Sequence, residues 1–193
     1  IETPNIDKLA RQGMTFTDAH STSAVCTPSR YSILTGRYNW RSPLQKGIVE
    51  PFGDPLIAPD RLTVPGFLKE QGYHTACIGK WHLGMGWDFE VTEDFLPEHE
   101  YGSTPEYDHL EPTENQRELW RSAFSKPIKG GPVTRGFDYY FGVDIPNWPP
   151  YCFIENDRTV GIPSEWLPAR LLSQNLASLQ GPAMPYWNFE QLL

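Results

Sequence analysis

A chain of 193 residues with 39% hydrophobic and 13% aromatic residues holds enough apolar material for one core. Its formal net charge of -8 argues against a nucleic-acid partner, which calls for a basic face. No stretch approaches the ~18–20 apolar residues of a membrane span, and the widely spaced Cys26, Cys77 and Cys152 make neither a disulfide framework nor a zinc pattern.

In chain order, residues 3–13 read as a helix, with Thr3 as cap, Pro4 as the first helical residue and Gly13 as the stop. Ile6, Leu9 and Ala10 mark its buried side. Residues 14–19 alternate and read as a strand. The Ser/Thr run at 21–23 follows, and then the stretch Cys26-Thr27-Pro28-Ser29-Arg30, extended by Leu34-Thr35-Gly36-Arg37. Pro28 suits a first helical turn, and Thr27 can cap it. Cys26 then sits at a helix mouth, where free N–H groups attract an anion. Arg30, four positions on, shares its helix face. The plain alternative is a buried structural Cys before a capped helix.

Residues 64–72 form a short helix ended by Gly72, and residues 73–79 a buried strand with Cys77 in the core. Helix, Gln-Gly, strand and loop occur twice in this order, which favours a parallel α/β sheet. Ligands of such sheets bind beyond the carboxyl ends of the strands. The second loop, Gly79-Lys80-Trp81-His82-Leu83-Gly84, offers Lys80 and His82 two positions apart. Extended backbone would point both the same way, a fixed cation beside a proton donor; a solvated loop is the alternative. Residues 19–49 and 71–87 contain no Asp or Glu. Together they can build one electropositive pocket.

Residues 88–118 are acidic, rich in Pro, Glu and Tyr, and read as part of an exposed insertion over 88–130. Asp88, Glu90 and Asp94 suggest either a calcium site or a solvated loop. His99 and His109 face water in this reading, while His20 and His74 are structural. The aromatics of residues 136–142 are core. Asn147-Trp148-Pro149-Pro150-Tyr151 reads either as a substrate mouth or as a Pro-rich turn, and Cys152 as a loop or strand-edge thiol. Residues 169–179 are amphipathic, and no motif follows.

Cys26-Thr27-Pro28-Ser29-Arg30 with Leu34-Thr35-Gly36-Arg37 resembles the signature of the type I, arylsulfatase-like sulfatases. Gly72 to Gly84, ending in Gly-Lys-Trp-His-Leu-Gly, resembles that family's second segment, and residues 136–142 its third, looser one. The resemblance implies an α/β fold with a mostly parallel sheet flanked by helices, alkaline-phosphatase/sulfatase-like and truncated at both ends. Residues 1–193 would be a partial catalytic domain lacking the first strand and the C-terminal half. The implied activity is sulfate ester hydrolysis through a formylglycine made from Cys26. Arg30 and Lys80 would hold sulfate oxygens, and His82 would protonate the leaving alcohol. A divalent cation, most often calcium, would touch position 26 as formylglycine, with its other ligands outside this chain. The fragment alone would be inactive. The implied partners are a small-molecule or glycan sulfate ester and a formylglycine-generating maturation enzyme. The implied compartment is secreted, periplasmic or lysosomal, compatible with a chain that opens at Ile1 without Met. Alternatives are a phosphonate or phosphate ester hydrolase of the same superfamily and a non-catalytic anion-binding module.

Overall fold

A computed structural model describes residues 1–96, 111–168, 171–172, 178–185 and 187. Helix α1 spans Pro4–Gln12 with Thr3 at its N-cap position. Its expected buried side is open: Ile6 is 67% and Leu9 71% exposed, and Ala10 is exposed too. An apolar stripe buries itself only when another element covers it, and none among the described residues does. Residues 14–19 form no strand, and Met14 and Phe16 stand in solvent. Alternation supplies a strand's faces, but a strand also needs a neighbour to pair with.

Helix α2 spans Cys26–Thr35 and stops at Gly36, whose φ of 64° is left-handed and whose N–H meets the Ser32 carbonyl at 2.9 Å. Its N-cap is Val25, not Thr27. Thr27 lies one residue into the helix and is fully buried. Its hydroxyl donates to the His82 carbonyl at 2.9 Å and accepts from the Val49 N–H at 3.2 Å. The hydroxyl expected to cap the helix therefore ties three chain segments together.

Helix α3, Val64–Glu70, is capped by the Thr63 hydroxyl, which accepts from the Gly66 N–H at 3.2 Å. Strand β1 is Ala76–Lys80, starting three residues later and ending one later than the buried strand expected at 73–79. Ahead of it, Thr75 is taken up by Asp138, whose Oδ2 accepts from the Thr75 N–H at 2.9 Å. Strand β2, Tyr139–Val143, pairs with β1 in parallel, Ala76 opposite Tyr139 and Lys80 opposite Val143. β3 (Ile154–Glu155) and β4 (Arg158–Thr159) continue the sheet antiparallel, in the order β1-β2-β3-β4. The fold class is α/β, as expected, and the sheet is mixed. β1 is an edge strand among the described residues. Ile78 is 70% exposed, so the strand expected to be buried has one open face. Cys77, on the opposite face, packs against the core but is only half-buried because it borders a cavity.

Gly79 and Gly142 face each other in the β1–β2 register. A methyl group at 142 would run into the Gly79 carbonyl oxygen. Gly142→Ala is therefore expected to cost about 1–3 kcal/mol by overpacking. Chemical denaturation compared with wild type checks it, and an unchanged midpoint would contradict the register.

The main core gathers Tyr31, Ile57, Trp81, Leu83, Met85, Tyr140 and Ile154. Cys152 lies in a bend just ahead of β3, the loop position expected, yet is 1% exposed and belongs to this core; burial pushes its thiol well above the ordinary value. The stretch 88–130, expected as an exposed insertion, carries apolar structure of its own. Helix α4, Glu114–Phe124, opens with a capping box between Thr113 and Gln116. Its Trp120, Ala123 and Phe124 pack with Phe95 and Leu96. His99 and His109 lie outside the described residues, as does most of the amphipathic piece at 169–179. His20 and His74 are surface residues, with side chains 79% and 85% exposed. β5 (Glu165–Leu167) and β6 (Gly181–Ala183) form a separate antiparallel pair. No helix among the described residues is long and apolar enough to cross a membrane.

Candidate active site

Helix α2 begins and strand β1 ends around one cavity of about 470 Å³. Cys26, Ser29, Arg30 and Lys80 form its polar side, while Ile33, Cys77, Trp81 and Phe137 are among its apolar walls. No carboxylate among the described residues lines it. Apart from Phe137, every lining residue comes from the two acid-free segments.

Arg30 reaches across from α2, and its Nη1 donates to the Lys80 carbonyl at 2.6 Å. This bond fixes the loop after β1 against the helix and leaves the rest of the guanidinium for other acceptors. Lys80 and Cys26 line the same cavity, and a thiolate at Cys26 would be a counter-charge to the Lys80 ammonium. Burial lowers the Lys80 pKa, Cys26 opposes that shift and Arg30 adds to it. Cys26 itself is half-buried at the first residue of α2. A helix N-terminus, a guanidinium and an ammonium thus converge on one side chain, an arrangement suited to an anion.

His82 behaves differently from the sequence expectation. Its φ is 56°, so the backbone leaves the extended path after Lys80 and the two side chains do not run in parallel. The residue is 1% exposed and does not line the cavity. Its Nε2 stands 3.0 Å from the Val49 carbonyl. A carbonyl only accepts, so Nε2 carries the proton and Nδ1 holds a lone pair. That Nδ1 is buried without a hydrogen-bond partner. Burial first, then the charge of Lys80, lower the pKa of His82 to about 4. A neutral ring whose only N–H is committed does not fit the expected role of proton donor. Trp148 sets its ring edge-on to the imidazole, centroids 6.1 Å apart. Of the two readings of residues 147–151, the structure shows the turn, with turn and bend at 146–149 and none of 147–151 among the described lining of the cavity.

Asp144 escaped the sequence reading. It stands one residue beyond β2 and is 5% exposed, and its Oδ1 accepts from the His82 backbone N–H at 3.1 Å. Burial raises its pKa to about 7. The signal was available in the sequence as a lone acid between Val143 and Ile145.

His82 and Asp144 should act on stability with opposite signs. Below about pH 6.5 the unfolded chain protonates His82, whereas the native chain does so only near pH 4, so stability falls as pH drops across that window. Between about pH 3.8 and 7 the native chain keeps a proton on Asp144 that the unfolded chain releases, so stability falls as pH rises. In the wild type the two slopes offset. Asp144→Asn should expose the first, up to about 1.4 kcal/mol per pH unit, and His82→Gln the second. Urea denaturation at several pH values checks this, and flat profiles in both variants would contradict it.

Among the described residues no three His, Cys, Asp or Glu side chains converge as a metal site. Asp88 instead pairs with Lys129 at 2.7 Å. Position 26 faces two cations, so these residues by themselves do not fit a divalent cation.

The Sulfatase family model matches residues 1–152. An N-acetylgalactosamine-6-O-sulfatase of Bacteroides thetaiotaomicron is 36% identical over 163 residues, covering 84% of this chain and 26% of that protein. Arylsulfatase A of Bos taurus is 43% identical over 97 residues, 50% of this chain and 18% of its own length. A solved 6S-sulf structure, described under the metabolism of multiple glycosaminoglycans by Bacteroides thetaiotaomicron, aligns with a TM-score of 0.53 and 35% identity over 82% of this chain and 27% of that one. The chain therefore spans about a quarter or less of the length of these relatives.

Proposed function

The chain belongs to the sulfatase family, and from that premise we propose that it carries the nucleophile and the anion-holding side of a sulfuric ester hydrolase. The observation behind this is the mutual locking of Arg30 and Lys80 around position 26 in a cavity lined by no carboxylate among the described residues. Formylglycine made from Cys26, in its hydrated form, supplies an oxygen nucleophile and a second hydroxyl through which sulfate departs. Cys26 is half-buried and lines the cavity together with Lys80, so an oxygen at this position would face the same cation.

Arg30 and Lys80 bind the sulfate oxygens and offset charge that develops on them, aided by the free N–H groups at the start of α2. His82 is buried and does not line the cavity; its Nε2–H stays on the Val49 carbonyl, its lowered pKa keeps it neutral at neutral pH, and it orders the loop that follows Lys80. A divalent cation, calcium in the expectation, needs carboxylates that the described residues do not gather, and no step is routed through it. The substrate class is a glycan sulfate ester, in line with the name of the Bacteroides relative. A formylglycine-generating enzyme is the maturation partner, and a secretory, periplasmic or lysosomal compartment is the setting.

Intact-mass measurement after co-expression with the maturation enzyme tests the reading. Residue 26 should lose a sulfur and two hydrogens and gain an oxygen, and Cys26→Ala should show no such change. A thiol that persists at 26 would overturn the enzyme reading in favour of an anion-binding module. The 193 residues alone are expected not to turn over sulfate esters, because their described part assembles no metal donor set. Measurable hydrolysis by the purified chain would refute that expectation.

A further inference from the structure

We propose that Asp144 is the positioning residue of the site: its side-chain oxygen takes up the backbone N–H that follows the last rung of the β1–β2 ladder and holds His82 in a left-handed turn that commits the imidazole to one tautomer. The value of that positioning for catalysis rests on the sulfatase reading; the positioning itself does not.

The ladder explains why an acceptor is needed here. The last backbone rung runs from the Trp81 N–H to the Val143 carbonyl at 2.9 Å. The next residue, His82, has a φ of 56°. A left-handed residue other than Gly is strained and persists only where its surroundings hold it. Successive N–H groups along a strand point to opposite sides, so the N–H after that of Trp81 has no place in the β1–β2 ladder, and here it lies where solvent cannot reach it. A buried donor left without a partner is among the costlier defects of a fold. Asp144 sits next after Val143 and supplies the acceptor from its side chain, at 3.1 Å.

The rest of His82 is held as tightly. Its carbonyl accepts from Thr27 at 2.9 Å, and its Nε2–H meets the Val49 carbonyl at 3.0 Å. Thr27 also accepts from the Val49 N–H, so its two partners form one frame. That frame sets the ring only if the backbone of His82 presents it at the right angle, and Asp144 fixes that angle. The inference requires an acceptor at Asp144 and not a charge. Asp144→Asn keeps an oxygen at the same place, and Asp144→Ala removes it.

The test uses the 193-residue chain with Cys26 unmodified and its histidines labelled with ¹⁵N, the His82 signals being assigned by their loss in His82→Gln. In the wild type, His82 should show the neutral Nε2–H form and a slowly exchanging amide. Asp144→Asn should keep both. Asp144→Ala should mix the two tautomers and speed amide exchange by about tenfold. A wild-type signature in Asp144→Ala would overturn the proposal, as would its loss in Asp144→Asn to the same degree as in Asp144→Ala. Circular dichroism reports whether each variant folds. If Asp144→Ala does not fold, the other two proteins decide. Slow exchange shared by wild type and Asp144→Asn supports the role, and fast exchange in either overturns it. None of these measurements needs turnover, so an inactive enzyme and a failed proposal are told apart.

Discussion

Arg30→Ala is expected to lower kcat for sulfate ester hydrolysis by about 10²–10³ in any form of the protein that turns over such esters. One guanidinium serves two ends here. Its Nη1 holds the Lys80 carbonyl at 2.6 Å, and its remaining N–H groups border the cavity beside Cys26. Truncation removes a donor to the sulfate and releases the loop that presents Lys80. Arg30→Lys should recover little, because an ammonium is a point charge without the planar fork that can hold a carbonyl and an oxyanion together. Lys80→Ala should be less damaging to the loop, since its carbonyl stays in place for Arg30. Steady-state kinetics of the three variants decide the matter. Equal losses in Arg30→Lys and Lys80→Ala would remove the distinction between a double role and a simple charge.

Trp120→Ala is expected to destabilise the fold by about 3–5 kcal/mol. Trp120 is completely buried in the second cluster, and its ring stacks on Trp166 with centroids 6.1 Å apart. Its Nε1 donates to the Phe95 carbonyl at 2.8 Å. Substitution would leave both a cavity and an unpaired buried carbonyl, two costs that add. Urea denaturation followed by circular dichroism measures the loss. Because this cluster is distinct from the core that contains Trp81 and Tyr140, conversion of Cys26 by the maturation enzyme should survive at low temperature. A change below about 1 kcal/mol would mean that the cluster relaxes to fill the space.

Local chemistry was legible in the sequence wherever a residue's own neighbours decide its conformation. A helix carrying Arg30, the α3 helix and a strand leading to Lys80 follow from Pro, Gly and apolar spacing, and the two acid-free segments do meet around one cavity. What escaped was decided at long range. His82 obeys Asp144, Val49 and Thr27, which lie 62, 33 and 55 positions away, and they override the alternation that would have set it beside Lys80. Thr27 has the right type and place for a cap, yet its hydroxyl satisfies two distant backbone groups instead. The acidic stretch after Asp88 reads as solvated by composition, but its few aromatic residues are enough to close a cluster with α4. The apolar stripe of α1 shows the converse: periodicity promised burial, and no partner among the described residues provides it.

The free side of β1 has a practical result for anyone handling the protein. A bare strand rim offers main-chain donors and acceptors to whatever extended peptide arrives first, and Ile78 beside it is greasy and unshielded. Another copy of the same molecule is the most abundant such visitor in a concentrated preparation. Yield and homogeneity should therefore fall as the stock is concentrated, and a charged Ile78→Lys surface should keep the protein dispersed.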